Sequence, residues 1–446
     1  LHKAVGFFRT KAGYQGAYLY RYSADLKKQE GEGVAHRTTG WTQPPGTPAV
    51  GEAYLNAWRL SDDGLCLEAA REAADALIRT QLVSGGWDSR FELDPQHRRG
   101  YMYRVDGKNA GKRNETTFDD NKSQSALMLL MHVDEAMSFE DAKLHDAVEY
   151  AIAGMLAAQY PNGAWPQRFS GPPDASKHPV KHASYPESWS REFPGRRYAG
   201  YYTLNDNNMS YIIEMLFEAN RIYGREDCLR AAEQTGEFFL LAQMPDPQPG
   251  WAQQYDANMH PAWARKFEPP AVTGGESQVV MRSLLKLYRH TGNKRFIKPL
   301  PRALAYYRES LLADGRLARF YELRTNNPLY FTKDYKLTYS DSDLPTHYGF
   351  NTGSRLESIE QQYRQLLQTS PDELRPDVRV VRPVALSSEV AKRAQAVVDA
   401  MDSRGAWVED GRLRYHGDDD DTRHVIESRT FIRNLVALAR FVGAKP

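Results

Sequence analysis

The sequence predicts an all-α protein, an α/α toroid of helical hairpins with long rim loops and a few short strands, and three observations carry that prediction. Tryptophan turns recur along the chain as Gly85-Gly86-Trp87, Gly163-Ala164-Trp165, Gly250-Trp251 and Gly405-Ala406-Trp407. Their spacing is about eighty residues, a repeat period, and is doubled in the last interval, where Asp314-Gly315-Arg316 marks the intervening turn. After three of these turns comes one phrase: Thr117-Phe118-Asp119-Asp120-Asn121, Thr203-Leu204-Asn205-Asp206-Asn207 and Thr273-Gly274-Gly275-Glu276-Ser277. Each phrase opens a stretch with apolar residues at helical spacing, which makes the chain a helical repeat.

Taken in order, each of five units reads as a helix, a short break, a second helix and then the Gly/Trp loop. The breaks are legible at Asp62-Asp63-Gly64, Tyr223-Gly224 and Thr291-Gly292-Asn293. In the third unit, Met209, Ile212, Ile213, Met215, Leu216 and Ala219 predict a helix over 209–223, and a second follows over 227–242. Such hairpins bury their faces by stacking, and five or six closing on themselves give a toroid; an open arch is the alternative. One domain over residues 1–446 is expected. The segment 323–383 breaks the rhythm with Thr338-Tyr339, a β-type run over Val378–Val384 and several prolines, so a rim insertion with short strands is expected there.

Read locally, Thr-x-x-Asp/Glu is a capping box, the threonine hydroxyl accepting from the N–H three residues on. A cap needs one acidic partner, yet Asp119, Asn121, Asn205, Asn207 and Asn208 crowd two of the three helix starts. That surplus of carboxylates and amides points to a site, and long loops on one rim are where function usually sits.

With 58 basic and 57 acidic residues and a net charge of +1, the chain has no basic stripe of the kind that grips nucleic acid. Arg98-Arg99 and Arg196-Arg197 read as solvated loop charges, and Asp418–Asp421 as an exposed turn. No apolar run reaches membrane-spanning length, and the mean hydropathy is −0.65. The first residue is Leu1, so removal of an upstream segment and a secreted or periplasmic location are expected. Cys66 and Cys228 stand at equivalent places in non-neighbouring units and are expected to be buried thiols. The histidines, among them His97, His132, His290 and His347, are scattered without metal-ligand spacing. Aromatic residues make up 11% of the chain, with 26 tyrosines and eight tryptophans. Trp87, Trp165 and Trp251 can wedge between hairpins or stack on sugar rings.

Several separate motifs then share one likeness: YPNGAWPQRF at 160–169, TTFDDN at 116–121, YTLNDNNM at 202–209, PAWARKFEPPA at 261–271 and ELRTNNPLY at 322–330. Together they resemble the pectate lyases of polysaccharide lyase family ten, over roughly Val50 to Pro328. The resemblance implies an α-helical toroid-like fold and a uronic-acid polymer as substrate. It implies Asp120 and Asp206 as acidic residues lining the cleft where calcium and the substrate carboxylate meet, and Arg265, in Ala264-Arg265-Lys266-Phe267-Glu268, as the base; the equivalent places of the two aspartates in successive repeats are expected to set them facing one another across that cleft. Asn121, Asn205 and Asn207 join them as polar donors, and Trp165, Arg168 and Tyr255 as further substrate contacts. The chemistry asks for these types. Elimination across C4–C5 of a galacturonate removes a proton beside a carboxylate, which a divalent cation must first neutralise. Calcium takes oxygen donors such as these. An arginine base needs surroundings that disfavour its charge, and desolvation among cations, bound calcium included, is expected to provide them; the alternative for Arg265 is an ion pair with Glu268 three residues on.

Two departures stand out. Asn327 occupies a place before Pro328 where the family usually has arginine, and Pro269-Pro270 replaces another. Arg319 or Lys333 is expected to restore the missing positive charge at the substrate. The same residues also permit a glycoside hydrolase with Asp120 and Asp206 as acid and base, or a non-catalytic carbohydrate binder in which Arg265 only grips a carboxylate. In every case an acidic polysaccharide is the expected partner, without nucleic acid or membrane, and the protein is expected to be a monomer.

Overall fold

The computed structural model describes residues 1–374 and 381–445. It is built mainly from α-helices: α1 (His2–Phe7), α2 (Thr47–Ser61), α3 (Gly64–Arg79), α4 (Lys122–Ala136), α5 (Ala142–Leu156), α6 (Asn208–Tyr223), α7 (Glu226–Ala242), α8 (Gly274–Thr291), α9 (Leu300–Glu309), α10 (Leu356–Gln368), α11 (Ser388–Asp399) and α12 (Ser428–Val442). Strands of two to four residues join them. The expected all-α class holds: helices predominate and the strands are few and short. The chain divides into two units, Leu1–Met155 with Arg379–Pro446, and Leu156–Val378.

Within the first unit, the beginning and end of the chain are tied together. α2 packs against α3, α4 and α12, so the last hairpin helix lies against the first. Arg21–Ser23 pairs antiparallel with His424–Glu427, repeating the tie at strand level. Phe8 stacks on Phe431 at 3.8 Å and on Tyr18 at 5.5 Å, an aromatic core that only this closure assembles. α2 approaches its neighbours at Gly51, where a Cβ would lie 2.4 Å from Leu129 and 3.0 Å from Ala73.

The second unit contains the α6–α7 hairpin, with α8 against α7 and α10 against α8 and α9. Its four-stranded antiparallel sheet runs Leu337–Thr338, Pro328–Phe331, Phe320–Glu322, Ala271–Thr273. The sheet covers an aromatic cluster that includes Trp263, Phe267, Phe320, Phe331 and Phe350. Short strands therefore do occur in the 323–383 segment, but it also holds α10, a thirteen-residue helix left unassigned by sequence. The expected β-run at Val378–Val384 lies partly outside the described residues; its described part, 381–384, forms no strand.

The predicted breaks behave as helix ends. Asp62, Gly224 and Gly292 adopt left-handed conformations at the C-caps of α2, α6 and α8. Asp63 then accepts from the Leu65 N–H to start α3. The Trp turns need glycine. Gly85 has φ 107° and Gly163 φ 84°, and a Cβ on Gly163 would sit 2.0 Å from the Gln234 carbonyl oxygen. Trp87, Trp165 and Trp251 are 0% exposed. Their indole N–H groups donate to Leu77 O, Thr235 Oγ1 and Phe239 O, so they are wedges that close helix ends. Cys66 and Cys228 are buried free thiols, and burial pushes the Cys66 thiol up to about 12.

Candidate active site

The repeated phrase is not a capping box. No side chain caps α4, α6 or α8. What repeats is a backbone tie: the N–H groups of Thr117, Thr203 and Thr273 donate to the carbonyls of Trp87, Trp165 and Trp251 at 3.0, 3.1 and 2.8 Å. Each threonine thus pins its helix start to the Trp wedge. The hydroxyls of Thr203 and Thr273 are spent on carbonyl oxygens, and that of Thr117 accepts from Asp119 only two residues on.

The surplus polar residues have a conformational cause as well as a chemical one. Asp120 and Asn121 have φ of 50° and 60°, and Asp206 and Asn207 have φ of 52° and 60°. Two consecutive left-handed residues precede both helices, a state that costs an ordinary residue about 1–2 kcal/mol and that Asp and Asn tolerate best. The third copy differs. Thr273 is extended and α8 begins directly at Gly274, leaving Glu276 buried in its first turn.

In the first unit, Asp119, Asp120 and Asn121 form a short 3₁₀ turn and are all half-buried. Lys122, the first residue of α4, is only 2% exposed and points its ammonium at Asp119 Oδ2 (3.0 Å) and Asp120 Oδ2 (3.5 Å). The donors of this turn are carboxylate and amide oxygens, the set that calcium takes and softer metals do not favour.

In the second unit, Asn205 donates to Asp206 Oδ2 at 2.7 Å and its own Oδ1 accepts from Arg319 Nη2 at 3.3 Å. The same Nη2 lies 3.3 Å from Glu276 Oε1. Arg319 stands over the Tyr348 ring at 4.3 Å, and Arg265 over the same ring at 5.4 Å. Both guanidiniums feel the Asp206 charge. Arg265 donates through Nε and Nη2 to the two oxygens of Glu268, at 2.8 and 2.5 Å, and Tyr348 donates to Glu268 Oε1 at 2.8 Å. The Glu268 side chain is fully buried. Burial works against the charge on Arg265, but the Glu268 fork outweighs it and holds the pKa above the ordinary arginine value. Burial likewise works against the Glu268 charge, and Arg265 with Tyr348 keeps its carboxyl below the usual range. The expectation that Arg265 is desolvated among cations is therefore corrected: its nearest partner is a carboxylate.

Arg319, Arg265, Asn205 and Asp206 thus belong to one neighbourhood, with Glu268, Tyr348 and Glu276 added to it. Asn207 is the last residue of the turn beside them and is half-buried. Three expected substrate contacts do not join. Trp165 is the buried wedge already described, so its ring has no face for a sugar. Tyr255 is 0% exposed and donates to Ala242 O, so it too is core. Lys333 sits on an exposed turn paired with Asp343 at 3.3 Å, which leaves Arg319 as the cation beside Asp206. Arg168 is half-buried on a short strand, its N–H bonded to Ala199 O. Glu268 was visible as the partner three residues after Arg265. Tyr348 carried no signal in the irregular segment that holds it.

A model of the pectic acid lyase family matches residues 81–317, and the chain belongs to that family. It is a polysaccharide lyase. Among solved structures, a mutant of the family 10 polysaccharide lyase from Cellvibrio cellulosa, in complex with trigalacturonic acid, is 20% identical and covers 72% of this chain and 98% of its own, with a TM-score of 0.48. The same Cellvibrio enzyme without the mutation covers 71% and 97% at 20% identity and a TM-score of 0.46. A D-mannose isomerase covers 99% and 95% at 12% identity and a TM-score of 0.46. No curated protein is detectably similar in sequence. Among the described residues, no helix is long and apolar enough to cross a membrane.

Proposed function

We propose that the protein cleaves a uronic-acid polymer of the pectate type by calcium-assisted β-elimination, with Asp120 and Asp206 as calcium ligands and Arg265 as the base. The observation that carries this proposal is the convergence of Arg265, Arg319, Asn205 and Asp206 on one neighbourhood in a chain of the pectic acid lyase family. Asp119, Asp120 and Asp206 offer only hard oxygen ligands, which suits calcium. When bound, calcium would neutralise the carboxylate on C5 and so acidify the C5 proton.

The residues do the rest. Arg319 offers a fixed cation to the uronate carboxylate, held by Asn205 and Glu276 and backed by Tyr348. Arg265 takes the C5 proton at Nη1, because Nε and Nη2 are committed to Glu268 and Nη1 makes no hydrogen bond among the described residues. Glu268 fixes the plane of the guanidinium and so aims Nη1. As the C5–H bond breaks, its electrons form the C4–C5 double bond, the C4–O bond breaks, and the departing oxygen takes a proton from solvent. The double bond is conjugated with the C6 carboxylate and absorbs in the ultraviolet. A polymer too large to cross a membrane puts this work in the secreted or periplasmic space.

One observation favours a second role for Arg265. Its fork onto Glu268 keeps it charged, as a residue that grips a carboxylate without moving a proton would be. Arg265→Lys separates the two, because lysine keeps the charge and loses the fork. Loss of a general base costs about a hundredfold or more in turnover with binding kept. Ultraviolet assays of polygalacturonate cleavage, paired with calorimetric substrate affinity in calcium, read both. Normal binding with turnover within about threefold of the parent would assign the proton to another group, since that is under roughly 1 kcal/mol of barrier.

A further inference from the structure

We propose that Lys122 is a resident counter-cation for Asp119 and Asp120 that competes with calcium and sets how tightly the turn binds it. The inference rests on the calcium reading above and goes beyond it, since Lys122 has no part in the elimination.

Lys122 is in an unfavourable place for a lysine. Its side chain is 3% exposed, whereas lysines are almost never buried unless paired. It also opens α4, and the N-terminal end of a helix carries a partial positive charge that disfavours a cation. Packing does not explain it, because an apolar residue would fill the same space without desolvating a charge. What holds it is the pair of carboxylates, with Asp119 Oδ2 at 3.0 Å and Asp120 Oδ2 at 3.5 Å. Those carboxylates are 17% and 37% exposed, so both remain partly open to solvent and ions.

Two adjacent carboxylates repel, and the ammonium relieves that repulsion when no metal is present. A divalent ion on the same oxygens must displace the ammonium or bind beside a like charge. Both lower its affinity. The flexible four-carbon stem of lysine permits displacement, and its point charge has no planar fork to resist it.

The test is a calorimetric titration with calcium chloride alone, at fixed pH and ionic strength, of the parent chain, Lys122→Met and Lys122→Gln. Methionine keeps the length and removes the charge; glutamine removes the charge and keeps a donor to the carboxylates, so it serves if the methionine variant does not fold. Either neutral variant should bind calcium at least about tenfold tighter than the parent, and its melting temperature should rise more on adding calcium. Lys122→Arg, which retains the charge, should stay near the parent. Equal or weaker binding by the neutral variants, with the parent binding normally, would overturn the role of Lys122 and leave the calcium reading intact. Absence of calcium binding in all four proteins would overturn both.

Discussion

The pairing of Arg265 with Glu268 sets the pH behaviour expected of this enzyme. A carboxylate fork raises the guanidinium pKa, so the neutral form able to accept a proton becomes more populated as pH rises. Turnover should therefore climb toward alkaline pH, roughly tenfold per unit while the group remains mostly charged. Glu268→Gln removes the opposing charge and keeps the shape. Its rate profile should move to lower pH, whereas a purely structural role would lower the rate without moving the profile. Initial rates measured by ultraviolet absorbance from neutral to strongly alkaline pH decide it. Arg265 was legible in the sequence through its motif and Glu268 through its spacing, but the sign of the electrostatics was not. A list of residues does not say that the carboxylate the fork closes on is fully buried, so that it outweighs the desolvation of the guanidinium.

At the level of the element, the two helix starts before α4 and α6 bind two demands together. Asp120-Asn121 and Asp206-Asn207 occupy left-handed backbone, and in the proposed mechanism they supply polar groups as well. Substitution separates the two. Asn207→Gly keeps the backbone without strain and should leave stability nearly unchanged, whereas Asn207→Val should cost about 1–2 kcal/mol. Chemical denaturation measures both. Activity lost in the glycine variant while its stability is kept would show that the amide serves the substrate. The sequence reached these residues for a different reason. It took the phrase as a cap because Thr and Asp stand at capping-box spacing, yet the left-handed pair shifts the true N-cap to the asparagine, and the threonine bonds back to the tryptophan loop instead. Helices with dense apolar faces, such as α6 and α7, appear close to where periodicity puts them. α10 was not found because it presents only Leu356, Ile359 and Leu366 to the core and lies among prolines and short strands.

For the whole molecule, the question is whether fold and activity depend on the same interactions. The scaffold is held by buried hairpin faces, by the Trp wedges, and in the first unit by α12 and His424–Glu427 closing onto α2 and Arg21–Ser23. A metal is absent from that account. Replacing a wedge, as in Trp251→Ala, removes a fully buried indole and its bond to Phe239 O, and should destabilise the protein by about 3–5 kcal/mol whatever the calcium concentration. Chelation should do the reverse. If calcium serves only to neutralise the substrate carboxylate, adding a chelator should abolish formation of the ultraviolet-absorbing product while far-ultraviolet circular dichroism keeps its helical signal. Readded calcium should restore turnover without a refolding delay. A chelated protein that stays fully active would remove calcium from the mechanism. One that loses its helices would show that the acidic turns hold the scaffold as well as the substrate, because only a ligand bound to the folded state and not to the unfolded chain can couple the two.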